Sequence, residues 1–160
     1  MGIRATRLIV SGAAAVLALA FGATAATSAA NVCTTTGATP AVAVKALGTG
    51  ARASAGVVTG RTACVLSSAG GTSRPSVTIV LLKGQLGSLV QSEMYQGPVH
   101  SQGVTGLGTG AVFLSTSDHT FQHLWFQGGS YAVKVTSDGT SHAAPAALIM
   151  VARAVYAHLG

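Results

Sequence analysis

The residues best suited to chemistry fall in one short stretch, Asp118-His119-Thr120-Phe121-Gln122-His123-Leu124-Trp125. On a helix, His119 and His123 would share one face and could chelate a metal. The surrounding residues are β-like, however, and on a strand His119, Phe121, His123 and Trp125 all project to one side. Two imidazoles four residues apart then span about 13 Å at ~3.3 Å per residue. That is too far for one Zn²⁺ with ligand bonds of about 2 Å, so His119 and His123 are weak metal candidates that need a bend between them. The same row fits an aromatic contact surface better. Phe121, His123 and Trp125 combine ring area with a polar edge, the combination that suits an interface.

Other routes to catalysis are poorly supplied. The Gly106-Leu107-Gly108-Thr109-Gly110 run has the glycine content of a phosphate loop, but such a loop sits between a strand and a helix N-terminus. Here a strand pattern follows, so the glycines turn the chain. No Gly-x-Ser-x-Gly elbow is present. Only Glu93, Asp118 and Asp138 carry carboxylates, and their spacing gives no sign that two converge as a paired acid and base. No catalytic residue set and no cofactor motif emerges.

The elements that must position these residues begin with a leader. Met1–Phe21 has Arg4 and Arg7 ahead of the uncharged run Leu8–Phe21, and small residues follow. This is the layout of a secretory signal peptide over 1–30, cleaved after Ala25 or Ala30. Its apolar run is shorter than the roughly 20 residues of a membrane span, so no stable span is expected after cleavage. Residues 31–160 then form a single secreted, extracellular domain, large enough to bury one core. Seven cations against three acids leave it +4, compared with +6 for the whole chain. The cations are scattered singly, and a nucleic-acid footprint requires clustering. An exported chain with two cysteines, Cys33 and Cys64, implies a disulfide; no Cys-x-x-Cys redox or metal pair exists.

Periodicity and turn residues supply the rest. Pro40 to about Leu47 reads as a helix stopped by Gly48 and Gly50. Val57–Leu66 reads as one strand with a bend at Gly60-Arg61, and Ser76–Leu82 as a strand apolar on both faces, hence central. Gln85–Tyr95 has Leu86, Leu89 and Val90 at helical spacing. Ala111–Ser115, Thr120–Gln127 and Ser130–Thr136 read as strands, the last two joined at Gly128-Gly129. Ser141–Leu159 closes the chain as an Ala-rich helix capped by Ser141. The expected fold is α+β, an antiparallel sheet of about five strands with helices on one face. The octets Val44–Ala51 and Val104–Ala111 differ only at their second and third positions, so the chain reads as two related halves around one sheet.

The Leu-Gly-x-Gly-Ala link into a strand, the FQHLWFQGGSYAVKV hairpin and the closing Ala-rich helix together cover most of Ala38–Leu159. In these features the chain resembles small exported or lipid-anchored α+β domains of unknown function from high-GC Gram-positive bacteria, including sensor-like domains outside the membrane. The resemblance implies fold and location and no activity. Many of those domains carry an acid after the Leu-Gly of the link, where this chain has Thr49 and Thr109, and many carry a lipidated Cys. Here Ala-Asn-Val precedes Cys33, which is no lipid-attachment context.

The function expected from these observations is a secreted, non-catalytic binding or interaction module of the cell envelope. Its partner is an envelope or extracellular ligand or protein, and its contact surface is Phe121, His123 and Trp125. Two alternatives follow from particular residues. One is a small secreted enzyme using His119 or His123, with or without a metal. The other is an inhibitor of extracellular enzymes acting through the Ser67–Arg74 loop.

Overall fold

The computed structural model describes residues 32–70, 74–137 and 141–160. The expected leader at 1–30 and the Asp138-Gly139 turn lie outside the described residues, as do 71–73 in the middle of the Ser67–Arg74 loop. A helical turn at 32–35 precedes helix α1 (Pro40–Leu47). There follow β1 (Arg52–Val58), β2 (Arg61–Ser67), β3 (Ser76–Leu82), α2 (Leu86–Met94), β4 (His100–Gly103), β5 (Val112–Ser115), β6 (Gln122–Gly128), β7 (Tyr131–Thr136) and α3 (Pro145–Leu159). The seven strands form one antiparallel sheet in the order β1-β2-β3-β7-β6-β5-β4.

The α+β class agrees with the sequence, but the sheet has seven strands rather than about five. Both additional strands are edges. β4 is exposed along its whole length, so no burial pattern marks it. β1 is hidden by its turn: Val57–Leu66 is not one strand, because Thr59 and Gly60 reverse the chain with φ of 48° and 75°. That hairpin geometry is usually signalled by Asn-Gly, and a β-branched residue rarely adopts positive φ. The β6–β7 turn also moves by one residue. Gly128 pairs with Tyr131, leaving Gly129-Ser130 as the loop, and Gly129 alone of the two takes positive φ (56°), as the first position of a type II′ turn does.

Helix boundaries follow local chemistry. The Thr39 hydroxyl accepts from the Val42 N–H, Pro40 occupies the first turn, and Gly48 at φ 93° ends α1. α3 starts at Pro145 rather than near Ser141. The ring of Pro145 excludes the preceding residue from helical conformation, and Ala144 is extended, with ψ 145°.

Two apolar layers sandwich the sheet. On one face Cys64, Leu66, Ile79, Leu124, Phe126 and Val135 pack with Ala43 of α1 and with Leu148, Val151 and Val155 of α3. On the other, Ala63, Val80, Leu82, Leu114 and Trp125 pack with Leu86, Leu89 and Val90 of α2. α1 and α3 therefore pack in one layer and α2 in the other, not on the single face expected. Each glycine octet leads into a three-strand run, β1–β2–β3 or β5–β6–β7, and the two runs join through β3 and β7. The octets also match in conformation: Gly48 and Gly108 have φ of 93° and 78°, Gly50 and Gly110 have 81° and 80°, and Ala51 and Ala111 are both buried. The likeness stops at the helices, since α1 and α2 cover opposite faces.

Cys33 and Cys64 form the expected disulfide, tying the turn at 32–35 to buried β2. Replacing both by Ala should lower stability by about 3–4 kcal/mol, read as a shift in the denaturant midpoint. Gly110→Ala should cost about 1–2 kcal/mol because the position needs positive φ, and Gly50→Ala at least as much, since its Cβ would also meet Ala69 Cβ at 2.9 Å. In β1, Gly56 has no such φ and an added Cβ would meet only Val65 at 4.0 Å, so Gly56→Ala should be neutral or mildly stabilising. Equal effects at all three positions would contradict the conformational account of the octets.

Candidate functional site

β6 and β7 set the first wall of the site. Trp125 lies opposite Lys134 and His123 opposite Thr136, while β3 places Val80 beside Lys134 and Thr78 beside Thr136. Because side chains alternate across a strand, these residues share the face covered by α2. Phe121 lies just before β6, its ring centroid 3.6 Å from that of His123 at an interplanar angle of 37°. The structure thus brings Phe121, His123 and Trp125 together. It places them in a wall beneath α2 rather than on an open surface, with His123 only 6% and Trp125 only 3% exposed.

The second wall is α2, and its Glu93 is the chemical centre. Glu93 Oε2 accepts from Trp125 Nε1 at 2.8 Å and bonds His123 Nδ1 at 2.8 Å. Oε1 takes Lys134 Nζ. Lys134 Nζ also stands 5.3 Å from the Trp125 ring centroid, within cation–π range. Burial of the Glu93 side chain, 13% exposed, raises the carboxyl pKa. Hydrogen bonds from His123, Lys134 and Trp125 outweigh it and hold Glu93 down at about 2. An ionised carboxylate only accepts, so Nδ1 of His123 carries the proton of their shared bond.

Between these walls opens a cleft of about 450 Å³. Val80 and Leu82 floor it, Leu89 and Phe121 add apolar sides, and Thr78, Ser92, Gln96 and Thr136 supply polar groups. The β1–β2 hairpin contributes Val58, Thr59 and Arg61 at its rim. Arg61 is exposed and makes no ion pair among the described residues. A larger groove of about 830 Å³ runs along α1 and α3, lined by apolar side chains that include Ile149 and Met150, with Lys45 and Arg153. It contains no cluster of interacting polar groups, so the chemistry resides in the smaller cleft.

His119 is not brought to His123. It sits in the β5–β6 turn at φ 59° and lines a different groove, beside Pro145 and Arg153. That turn is fixed by Asp118, whose carboxylate accepts from the Thr116 hydroxyl and from the Thr120 hydroxyl and N–H. Those bonds hold Asp118 at about 2. Among the described residues no three His, Cys, Asp or Glu side chains gather to hold a metal. No protein-family model, curated protein or solved structure matches this chain, and no described helix is long and apolar enough to cross a membrane.

The aromatic row is legible in the sequence, whereas Glu93, which faces it, belongs to no recognised motif. A signal was present: Leu86, Leu89, Val90 and Glu93 follow the i, i+3, i+4, i+7 spacing of one helix face. An acid on the stripe that meets the sheet must find partners there, and Lys134 lies on the matching face of β7.

α2 buries no residue completely and has no side-chain cap, so Glu93 is a main anchor of this helix. Glu93→Gln should lower stability by roughly 1–3 kcal/mol. It should also speed hydrogen exchange of α2 amides more than those of β3 and β7. The pH dependence has a definite sign. The folded value of about 2 lies below the ordinary 4.5, so the contribution is complete above pH 4.5 and is lost as pH falls through about 2. It is worth on the order of 2 kcal/mol after allowance for solvent screening, and Glu93→Gln should flatten that acid limb. Unchanged α2 protection and an unchanged acid limb would contradict the anchoring role.

Proposed function

We propose that this chain is a secreted, non-catalytic binding module of the cell envelope, and that the α2 cleft, walled by Phe121, His123 and Trp125, is its contact site. One observation carries the reading. Three hydrogen-bond donors from two adjacent strands are fixed on one largely buried carboxylate beside an aromatic wall, which makes a preformed concave site with few polar groups at set positions. Small-molecule sites have this character. The Cys33–Cys64 disulfide is compatible with an oxidising, extracellular setting. The proposed kinship with exported α+β domains of high-GC Gram-positive bacteria points to the same location.

A second reading is favoured by a specific contact. A carboxylate bonded to Nδ1 of a histidine is the orienting half of a general-base pair, so Glu93 and His123 could serve a small secreted hydrolase, with His123 as base. In that enzyme, His123→Ala would abolish turnover while ligand capture survived.

Native mass spectrometry of the protein recovered from its host's medium tests the binding reading. The expected spectrum shows the chain with its disulfide intact and a small bound mass. That mass should be reduced in Trp125→Phe and lost in Phe121→Ala. Retention of the same bound mass in both folded variants would place the contact site elsewhere.

A further inference from the structure

The charge balance of the cleft identifies a class of ligand, provided the cleft is the binding site proposed above. Glu93, Lys134, His123 and Arg61 are its ionisable lining groups. Both oxygens of Glu93 are engaged, one by His123 and Trp125 and the other by Lys134. It has little capacity left to receive a ligand cation and it offsets a single positive charge. Arg61 makes no ion pair among the described residues. It precedes by two residues Ala63, which lies across from Val80, and Val80 lies across from Lys134. Arg61 and Lys134 therefore rise from the same sheet face with backbones roughly 12 Å apart, as two strand steps and two residues give. Long flexible side chains can close that distance on a single group over the apolar floor of Val80 and Leu82.

We propose that the cleft binds an organic anion, a carboxylate or phosphate ester attached to a flat apolar body. The anionic group sits between Arg61 and Lys134, and the body lies along Phe121 and Leu89, with only the edge of Trp125 in reach. Arg61 presents the planar donor fork that matches a carboxylate or phosphate in bidentate fashion. Lys134 retains its ion pair with Glu93 and turns a remaining ammonium N–H toward the anion, so Arg61 supplies the net positive charge. The cleft volume of about 450 Å³ lies toward the lower end of small-molecule sites, about 300–1,000 Å³, and so fits a compact ligand rather than a polymer chain.

Trp125 is the only tryptophan in the chain, so its emission reports this cleft and no other place. The experiment titrates the full secreted chain with 4-phenylbutyrate and phenyl phosphate, and in parallel with the neutral 4-phenylbutanamide and the cationic 4-phenylbutylamine. Both anions should produce a saturable change, and the amide and amine should bind about tenfold more weakly or not at all. Arg61→Gln, an exposed position that leaves the core intact, should lose about tenfold in affinity for the anions. Lys83→Gln, which removes an exposed charge that does not line the cleft, should lose nothing. The relative affinity of the two anions separates a carboxylate site from a phosphate site. Equal binding of the amide, preference for the amine, or unchanged affinity in Arg61→Gln would each overturn the proposal. If no probe perturbs Trp125 while the native bound mass persists, the anion assignment fails and the binding reading survives. Loss of both would remove the cleft as a site.

Discussion

A carboxylate that leaves water must be met by enough donors to replace its hydration, and Glu93 imposes that condition on this fold. α2 is a short helix with a glycine in its first turn, no charged residue at its N-terminal end and no completely buried side chain. Such a helix has little intrinsic stability. It holds its place because Leu86, Leu89 and Val90 find an apolar patch and because Glu93 finds His123, Trp125 and Lys134. Those donors can converge only if β6 and β7 pair in a register that sets Trp125 beside Lys134. A one-residue slip would turn every one of them to the opposite face. Sheet register, helix docking and cleft chemistry are thus one constraint seen from three sides.

The opposite face explains why the register holds. Leu124, Phe126, Val133 and Val135 are fully buried in the layer they share with α3, so β6 and β7 are fixed by their apolar alternates while their polar alternates are free to build a site. The burial of β6 on both faces records this division. The central pairing of β3 with β7 joins the two three-strand runs. A glycine-rich octet of the same conformation starts each run, so one chain-turning device serves twice in a single sheet. Its backbone role at the head of each run accounts for the repeat without assigning it any ligand.

Much of this was legible in the sequence, and what was not has a common physical cause. The central strand Ser76–Leu82, α1 with its glycine stop, the disulfide and the shared face of Phe121, His123 and Trp125 all follow from burial patterns and turn chemistry. The edge strands β1 and β4 did not, because an edge need bury little: β4 is His-Ser-Gln-Gly, and β1 ends in a turn whose Thr59 gives no hint of positive φ. The cleft was half visible. Its aromatic wall lies within a few residues of sequence, but Glu93 is 30 residues from His123 and 41 from Lys134. Long-range pairing of this kind is carried by topology, and a five-strand sheet covered on one side gave α2 no place above the wall. Only the position of Glu93 on the apolar stripe of α2 pointed to it.

Helix docking and cleft chemistry both rest on Trp125 donating to a largely buried, ionised Glu93, and the single indole N–H of the chain reports that bond directly. In a ¹H–¹⁵N spectrum it should give one resonance that exchanges slowly with water at neutral pH. That resonance should hold its position until the pH nears the Glu93 value of about 2 and should shift in Glu93→Gln. An indole proton that exchanges freely at neutral pH, or keeps the same position in the variant, would contradict the account.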